Sequence, residues 1–399
     1  MNFSDFRGGK LETDIFANSN TLLDAFKNAN ALTLKYHGDQ TTLERAVFLS
    51  WWCGKGDCDF CYLSTQRHRI KDPSRARRRT SSILAEVEIL RRIGCRLEFL
   101  SSGYGSHSIE ELRRIAQMVS HVSGEGVWLN VGVLREEQLR TFGDEVVGIV
   151  ASIETFNTEL RKRVCPDKSL KKSLKTLKEA EKLGMKKAAT IVLGLGEGKS
   201  QIPALLDFIK NINLDRITIY SLNPHRETPL SNHPPPASLY QAGVIALIRL
   251  NFPELEIIGG TWIDQLPNIG LILLAGSNGI TKYPFFSMFG NRYGMKVEEE
   301  VRYANRKLLG TFSDMNILAG RKKLQRNKDP RRVLKGMKPL IPSSIIGKME
   351  VMKDEIDDKI ESYVKTVAKR KARFTQPSPG SRRSLKRCQR TRLSSYHPP

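Results

Sequence analysis

Short apolar runs alternate with amphipathic stretches from Ala46 to about Gly279. The segments AVFLSWW, RLEFLSS, VWLNVGV, VVGIVASI, KAATIVLG, RITIYSL, LEIIGG and LILLAGS read as strands. Between them, SSILAEVEILRRIG, SIEELRRIAQMV, LKKSLKTLKEAEKLG, IPALLDFIKNI and ASLYQAGVIALIRL repeat apolar residues at the helical period. Gly94 and Gly184 stand where two of these helices should stop. Strands that are apolar throughout suit a parallel sheet covered on both faces by crossover helices. Eight such units predict an α/β fold, a complete (β/α)8 TIM-type barrel over residues 46–290. Ahead of it, within a lead-in of residues 1–45, SNTLLDAFKNANALTLKYHG predicts a helix capped by Ser19 or Asn20 and stopped by Gly38. Residues 291–374 predict a helical, charge-rich extension, and residues 375–399 have the composition of a disordered basic tail.

The charge changes this picture only at its end. The chain of 399 residues carries a formal +23, yet residues 301–348 alone hold 13 basic and 2 acidic residues. From Lys365 onward there are 11 basic residues and no acid, so the first 300 residues are close to balanced. The excess belongs to the extension, where it offers nucleic acid an electrostatic handle without a recognisable RNA-binding module. Six cysteines without a paired framework point to a reducing compartment. There is no apolar signal core and no window near the ~20 apolar residues of a membrane span. A cytoplasmic protein without membrane contact is expected.

The candidate chemistry lies in the loop after the first predicted strand. Cys53, Cys58 and Cys61 are spaced Cys-x4-Cys-x2-Cys. Three thiolates on one short loop can hold three irons of a [4Fe-4S] cluster and leave the fourth iron open to a ligand. Two other sites fit the spacing: a closed two-iron site with Cys95 as fourth ligand, or a Cys3His zinc site completed by His68. A barrel presents its chemistry on the loops after its strands, which favours a reaction site over either structural alternative. The glycine-rich GLGEGKS at 194–200 lacks the spacing of a phosphate loop, and nucleotide hydrolysis is not expected.

A cysteine loop on the first strand of a barrel resembles the radical S-adenosylmethionine (SAM) superfamily, and within it the branch of biotin synthase and the hydrogenase-cofactor maturases. Further segments carry the resemblance in order: SSGYG at 101–105, IETFN at 153–157, CPDKS at 165–169 and IVLGLGE at 191–197. LNPHRETPL at 222–230, RLNFPELEI at 249–257 and AGSN at 275–278 come next. The first cysteine gap is one residue longer than the superfamily's usual Cys-x3-Cys. Where related maturases place arginines near the SAM carboxylate, this chain has Ser152 and Ser173, with Arg161, Lys171 or Lys172 as substitutes.

The resemblance implies that Cys53, Cys58 and Cys61 ligate the cluster and that the open iron takes the amino and carboxylate groups of SAM. Reductive cleavage then yields a 5′-deoxyadenosyl radical, which removes hydrogen from an unactivated C–H bond. The electron donor implied is a ferredoxin or flavodoxin. Phe60 or Tyr62 packs on the adenine or else shields the cluster. Ser101, Ser102 and Gly103 present backbone to the methionine ammonium, unless they form an ordinary turn. Glu154 serves the ribose or the ammonium, or only a helix start. Arg161 is the candidate for the carboxylate, and Gly194 and Gly196 lie near the adenine. Asn223, His225, Arg226, Thr228 and Asn278 are placed at the substrate end. Cys95, Cys165 and Cys388 do not match the second cluster of biotin synthase, which argues against sulfur insertion. The reading is therefore a radical SAM enzyme acting on a small molecule in cofactor or metabolite biosynthesis. The alternatives are an RNA-modifying radical SAM enzyme and a non-catalytic, zinc-binding, nucleic-acid-associated protein.

Overall fold

Nine strands form one parallel sheet whose first eight close on themselves. They are β1 (Gln40–Phe48), β2 (Cys95–Ser101), β3 (Val127–Asn130), β4 (Val146–Glu154), β5 (Lys186–Leu193), β6 (Arg216–Ser221), β7 (Glu256–Gly260) and β8 (Gly279–Thr281), followed by a short β9 (Lys307–Leu308). Closure comes from β1, which pairs with β2 on one side and with β8 on the other. The computed structural model describes residues 14–324 and 342–375. The tail beyond Thr375, with Cys388, and the basic stretch 325–341 lie outside the described residues.

The expected (β/α)8 barrel is present, with two strands displaced from where the apolar runs put them. β1 starts in the polar segment QTTLER and ends at Phe48, so Leu49–Trp52 belong to the cysteine loop. LILLAGS is a helix, Asn268–Leu274 followed by a turn, and the eighth strand is the three-residue GIT behind it. Its Ile269, Ile272 and Leu273 are buried and its Leu271 and Leu274 are apolar as well, so the run reads like a buried strand. Asn278 therefore precedes β8 rather than following it. The N-terminal helix runs Ser19–His37, and its N-cap is Asn18 rather than Ser19 or Asn20, with the Asn18 side chain accepting from the amide of Thr21.

A layer of charge plugs the barrel near the starts of its strands. Arg216 of β6 donates to Glu256 of β7 at 2.8 Å, and Arg96 of β2 reaches the same carboxylate at 2.9 Å. Both also face Glu44 of β1, at 3.5 and 3.4 Å, and the Arg216 guanidinium lies 4.8 Å over the Trp128 ring. Two cations balance two anions, so the plug is neutral and each buried charge has partners. The opposite end, where the strands stop, is left open as a cavity.

The C-terminal extension is docked on the barrel within the described residues. Helix Lys353–Thr375 packs along helix Thr80–Arg92, with Tyr363 edge-on to Phe286 at 4.9 Å. Arg370 donates to the carbonyls of Phe286 and Ser287 at 3.2 and 3.0 Å. Among the described residues no helix is long and apolar enough to cross a membrane.

Candidate active site

A cavity of about 530 Å³ opens at the C-terminal ends of the strands. Cys53, Cys58, Phe60, Cys61, Tyr62, Ser101, Ser102, Gly103, Glu154, Asn223 and His225 all line it. Residues from the ends of β1, β2, β4 and β6 thus converge although up to 172 positions separate them in sequence.

The cysteine loop is pinned from several sides. Its Gly54 amide donates to the Tyr104 carbonyl at 2.8 Å, tying it to the turn after β2. The Asp59 amide donates to Val164 at 2.9 Å, and Leu230 donates back to Asp59 at 3.1 Å. Within the first cysteine gap Gly56 has a φ of 35°, and its close approach to the Cys53 carbonyl and Arg67 stem leaves no space for a side chain. Burial pushes the Cys58 and Cys61 thiols up, and the Lys168 ammonium works against that rise at both.

Lys168 is the residue that the sequence did not single out. Its Nζ sits 2.5 Å from Glu154 Oε1 inside the cavity and 5.9 Å from the Phe60 ring. Burial lowers its pKa, but Glu154 and the thiols of Cys58 and Cys61 outweigh that and hold it above the usual lysine range. Glu154 itself has a φ of 65°, a backbone region that non-glycine residues rarely adopt. Arg161 keeps it there: it donates to the carbonyls of Ile153 and Thr155, and its Nε donates to the Lys168 carbonyl at 3.1 Å. Arg161 does not line the cavity; its guanidinium ties the backbone on either side of Glu154 to that of Lys168. Lys171 and Lys172 are exposed, whereas Ser152 and Ser173 line the cavity beside Lys168.

Other candidate residues lie away from the cavity or have their polar groups engaged elsewhere. Gly194 and Gly196 do not line the cavity, because their loop folds onto Glu197, whose carboxylate accepts from the amides of Gly194 and Leu195 at 2.8 and 2.9 Å. Arg226 is exposed, and Thr228 spends its hydroxyl on the His225 carbonyl at 2.7 Å. Asn278 lies at the far end of the barrel, where its side-chain oxygen accepts from Arg249 at 2.5 Å and from the Ile257 amide at 2.8 Å. The Ser102 hydroxyl is engaged with Ser106, which in turn meets His107 Nδ1 at 2.9 Å.

The fourth ligands of the two structural alternatives are also placed. Cys95 opens β2, at the end of the strand opposite the cavity, and His68 is exposed in the turn after helix Tyr62–Gln66. Neither joins the three cysteines, and among the described residues no three His, Cys, Asp or Glu side chains converge on a single ion. Thiolates that each take a different corner of a four-iron cube stand farther apart than ligands sharing one ion. Lining one cavity wall from one loop suits the cube. Cys165 is fully buried in the apolar cluster behind Cys58 and does not reach the cavity.

On the cavity floor Glu98 accepts from Thr218 at 3.1 Å, from Thr281 at 2.5 Å and from the Tyr220 hydroxyl. Burial nevertheless raises its pKa to about 7. A carboxyl with a folded pKa above its unfolded value of about 4.5 loses stability as pH rises from 4.5 to 7. Glu98→Gln is expected to remove that loss. Urea unfolding at pH 5 and pH 8 should show the variant gaining on the wild type between the two, by up to roughly 3 kcal/mol.

Comparison with known proteins agrees with this geometry. A family model described as the radical SAM superfamily matches residues 52–209, which begin at the cysteine loop and include the glycine turn and Glu154. An uncharacterized protein of Methanocaldococcus jannaschii is 41% identical over 88% of this chain and 96% of its own length. The chain belongs to the radical SAM superfamily. The biotin synthase of Thermodesulfovibrio yellowstonii is similar at 25% identity over 66% of this chain and 84% of its own. The crystal structure of methylornithine synthase superposes with a TM-score of 0.60 at 20% identity, over 70% of this chain and 85% of that one, a likeness of fold. Radical SAM proteins of this kind are enzymes that generally use a [4Fe-4S] cluster and SAM, and this chain is an enzyme of that superfamily.

Proposed function

We propose that this radical SAM enzyme holds its four-iron cluster on Cys53, Cys58 and Cys61 and acts on a small molecule in cofactor or metabolite biosynthesis. The observation that carries the reading is the convergence of the three thiols, the Ser101–Gly103 turn and the Glu154–Lys168 pair on one cavity. When bound, the cluster and SAM supply a 5′-deoxyadenosyl radical to that cavity. The protein's part is to bind, orient and exclude water. Lys168 balances thiolate charge and takes the methionine carboxylate, filling the place for which Ser152 and Ser173 are too short. Glu154 orients Lys168 and accepts from the ammonium or the ribose hydroxyls. Phe60 and Tyr62 flank the loop as apolar walls. Trp51 stacks on Phe48 at 5.3 Å and meets Tyr62 edge-on at 6.5 Å, which closes the mouth beside the cysteines.

A cavity of about 530 Å³ inside the barrel mouth supports a small substrate over a nucleic acid. The remaining cysteines among the described residues, Cys95 and Cys165, do not line the cavity, which supports hydrogen abstraction without sulfur insertion. A ferredoxin or flavodoxin supplies the electron.

Electron paramagnetic resonance of the anaerobically reconstituted, reduced protein tests the reading. A four-iron signal that shifts on adding SAM is the expected result, and its absence from iron-loaded protein would overturn the assignment. Lys168→Met should keep the signal but weaken SAM binding about tenfold or more, measured by equilibrium dialysis. Unchanged SAM affinity would remove Lys168 from the cofactor site.

A further inference from the structure

The charges around the cavity pair off, with one exception. Glu154 is held by Lys168, and Glu98 by three hydroxyl donors. At the rim Glu86 takes both Arg45 and Arg78, each at 2.7 Å. Lys282, the residue after β8, makes no ion pair with a carboxylate among the described residues. Its Nζ donates to the Ser221 carbonyl at 3.0 Å and lies 5.0 Å over the Tyr220 ring, which leaves donor capacity facing the cavity.

Two further features mark the position. Lys282 has a φ of 78°, a left-handed conformation that a side-chain-bearing residue adopts only where the surroundings impose it. It also stands across the barrel from Glu154: β8 lies four strands from β4, which carries that residue, while its neighbour β1 leads into the cysteine loop. Asn223 and His225, after β6, flank the same side of the cavity. Burial and the neighbouring lysine lower the pKa of His225, so it stands there as a neutral hydrogen-bonding group.

We propose that Lys282 forms an anion site on the β6–β8 wall and that the substrate is a small organic carboxylate whose carboxylate docks on it. The proposal rests on the radical SAM reading and names the substrate class for that site. Lys282 feels Glu154, Glu98 and the Cys61 thiol without an ion pair to any of them, so this one cation matches at most a single carboxylate charge, whereas a phosphate dianion would leave a buried negative charge uncompensated. The carboxylate end is held at β8, and the remainder of the molecule points back across the cavity toward the cofactor side. SAM must share the same 530 Å³, which keeps the substrate small.

The test uses full-length reconstituted protein with SAM present and the cluster oxidised, probed with hexanoate and its uncharged match hexanamide by saturation-transfer NMR. Hexanoate should bind the wild type and hexanamide should not. Lys282→Met should weaken hexanoate about tenfold or more, and Lys282→Arg should restore it. SAM affinity by equilibrium dialysis should stay within about twofold in both variants. Equal binding of acid and amide, or undiminished hexanoate binding in Lys282→Met, would overturn the proposal. A matching collapse of SAM affinity would also overturn it, because the lysine would then serve the cofactor. If Lys282→Met fails to fold, the acid-against-amide contrast in wild type and Lys282→Arg still decides. The SAM-dependent resonance shift of the wild-type sample, recorded in parallel after reduction, separates failure of this proposal from failure of the radical SAM reading.

Discussion

Cys58→Ala should yield a folded barrel without a four-iron resonance and with SAM cleavage at background. Cys58 is 6% exposed at the back of the cysteine loop, packed against Val164, Cys165 and Leu222. Its loss leaves two thiols, and no described side chain that lines the cavity replaces the third in kind. Cys165 shares its apolar cluster but sits behind the loop, so Cys165→Ala is expected to leave the resonance and the cleavage rate close to wild type. The stability cost of Cys58→Ala is small by comparison, about 1 kcal/mol for a lost buried sulfur. Iron content and reduced-state resonance, read beside a circular-dichroism melt, separate cluster loss from unfolding. A retained four-iron signal in Cys58→Ala would remove this residue from the ligand set, and a lost signal in Cys165→Ala would add one.

Gly103→Ala should disable the site almost as fully without touching a ligand. A Cβ built on Gly103 would lie 2.1 Å from the Trp52 carbonyl oxygen and 2.6 Å from the Cys53 Cα. Both are backbone atoms of the cysteine loop, so no side-chain rotation relieves the clash and the loop itself must move. Overpacking of this kind costs about 1–3 kcal/mol in stability, but the larger effect is on geometry. Displacing Cys53 by even part of that overlap withdraws one ligand from the other two, and an ångström of misplacement is enough to cost a reaction about a hundredfold. Cluster loading should fall and the SAM-induced shift should be lost. Gly105→Ala, two residues on, is the control. Gly105 has a φ of 71° but open space around its Cβ, so alanine there should cost about 1–2 kcal/mol of backbone strain while the cluster survives. Equal loading in Gly103→Ala and wild type would show that the turn does not set the loop.

The residues that the sequence alone could reach are those whose role is written in local spacing. Three cysteines within nine positions must share a loop wherever that loop lies, and eight alternations of strand and helix place it on a barrel's working face. The turn at Ser101–Gly103 and Glu154 were within reach too, because each directly ends a strand. Both were legible for the same reason: the loop after a parallel strand in a closed barrel faces the cavity.

Lys168, Glu98 and Lys282 carried no such mark. Lys168 lies in a turn rich in charge, and only the Arg161 clamp, which bonds Ile153, Thr155 and the Lys168 carbonyl together, folds its side chain inward onto Glu154. Glu98 lies in a strand that the apolar pattern treats as uniform core, and Lys282 follows a strand that the pattern passed over. The barrel interior instead sets polar groups, from the Glu44–Arg96–Arg216–Glu256 plug up to Glu98, among apolar ones such as Trp128, Val150 and Ala188. Long-range pairing decides whether such a charge is buried with partners or left open, and spacing along the chain holds no record of it. The same limit explains LILLAGS. Apolar residues report burial, while whether the buried backbone satisfies its hydrogen bonds within a helix or with neighbouring strands is settled only by what packs around it. The sequence by itself determined which residues share the cysteine loop and the class of fold; the tertiary structure decided which charges meet in the cavity, because only closure of the sheet brings β4, β6 and β8 around a common space.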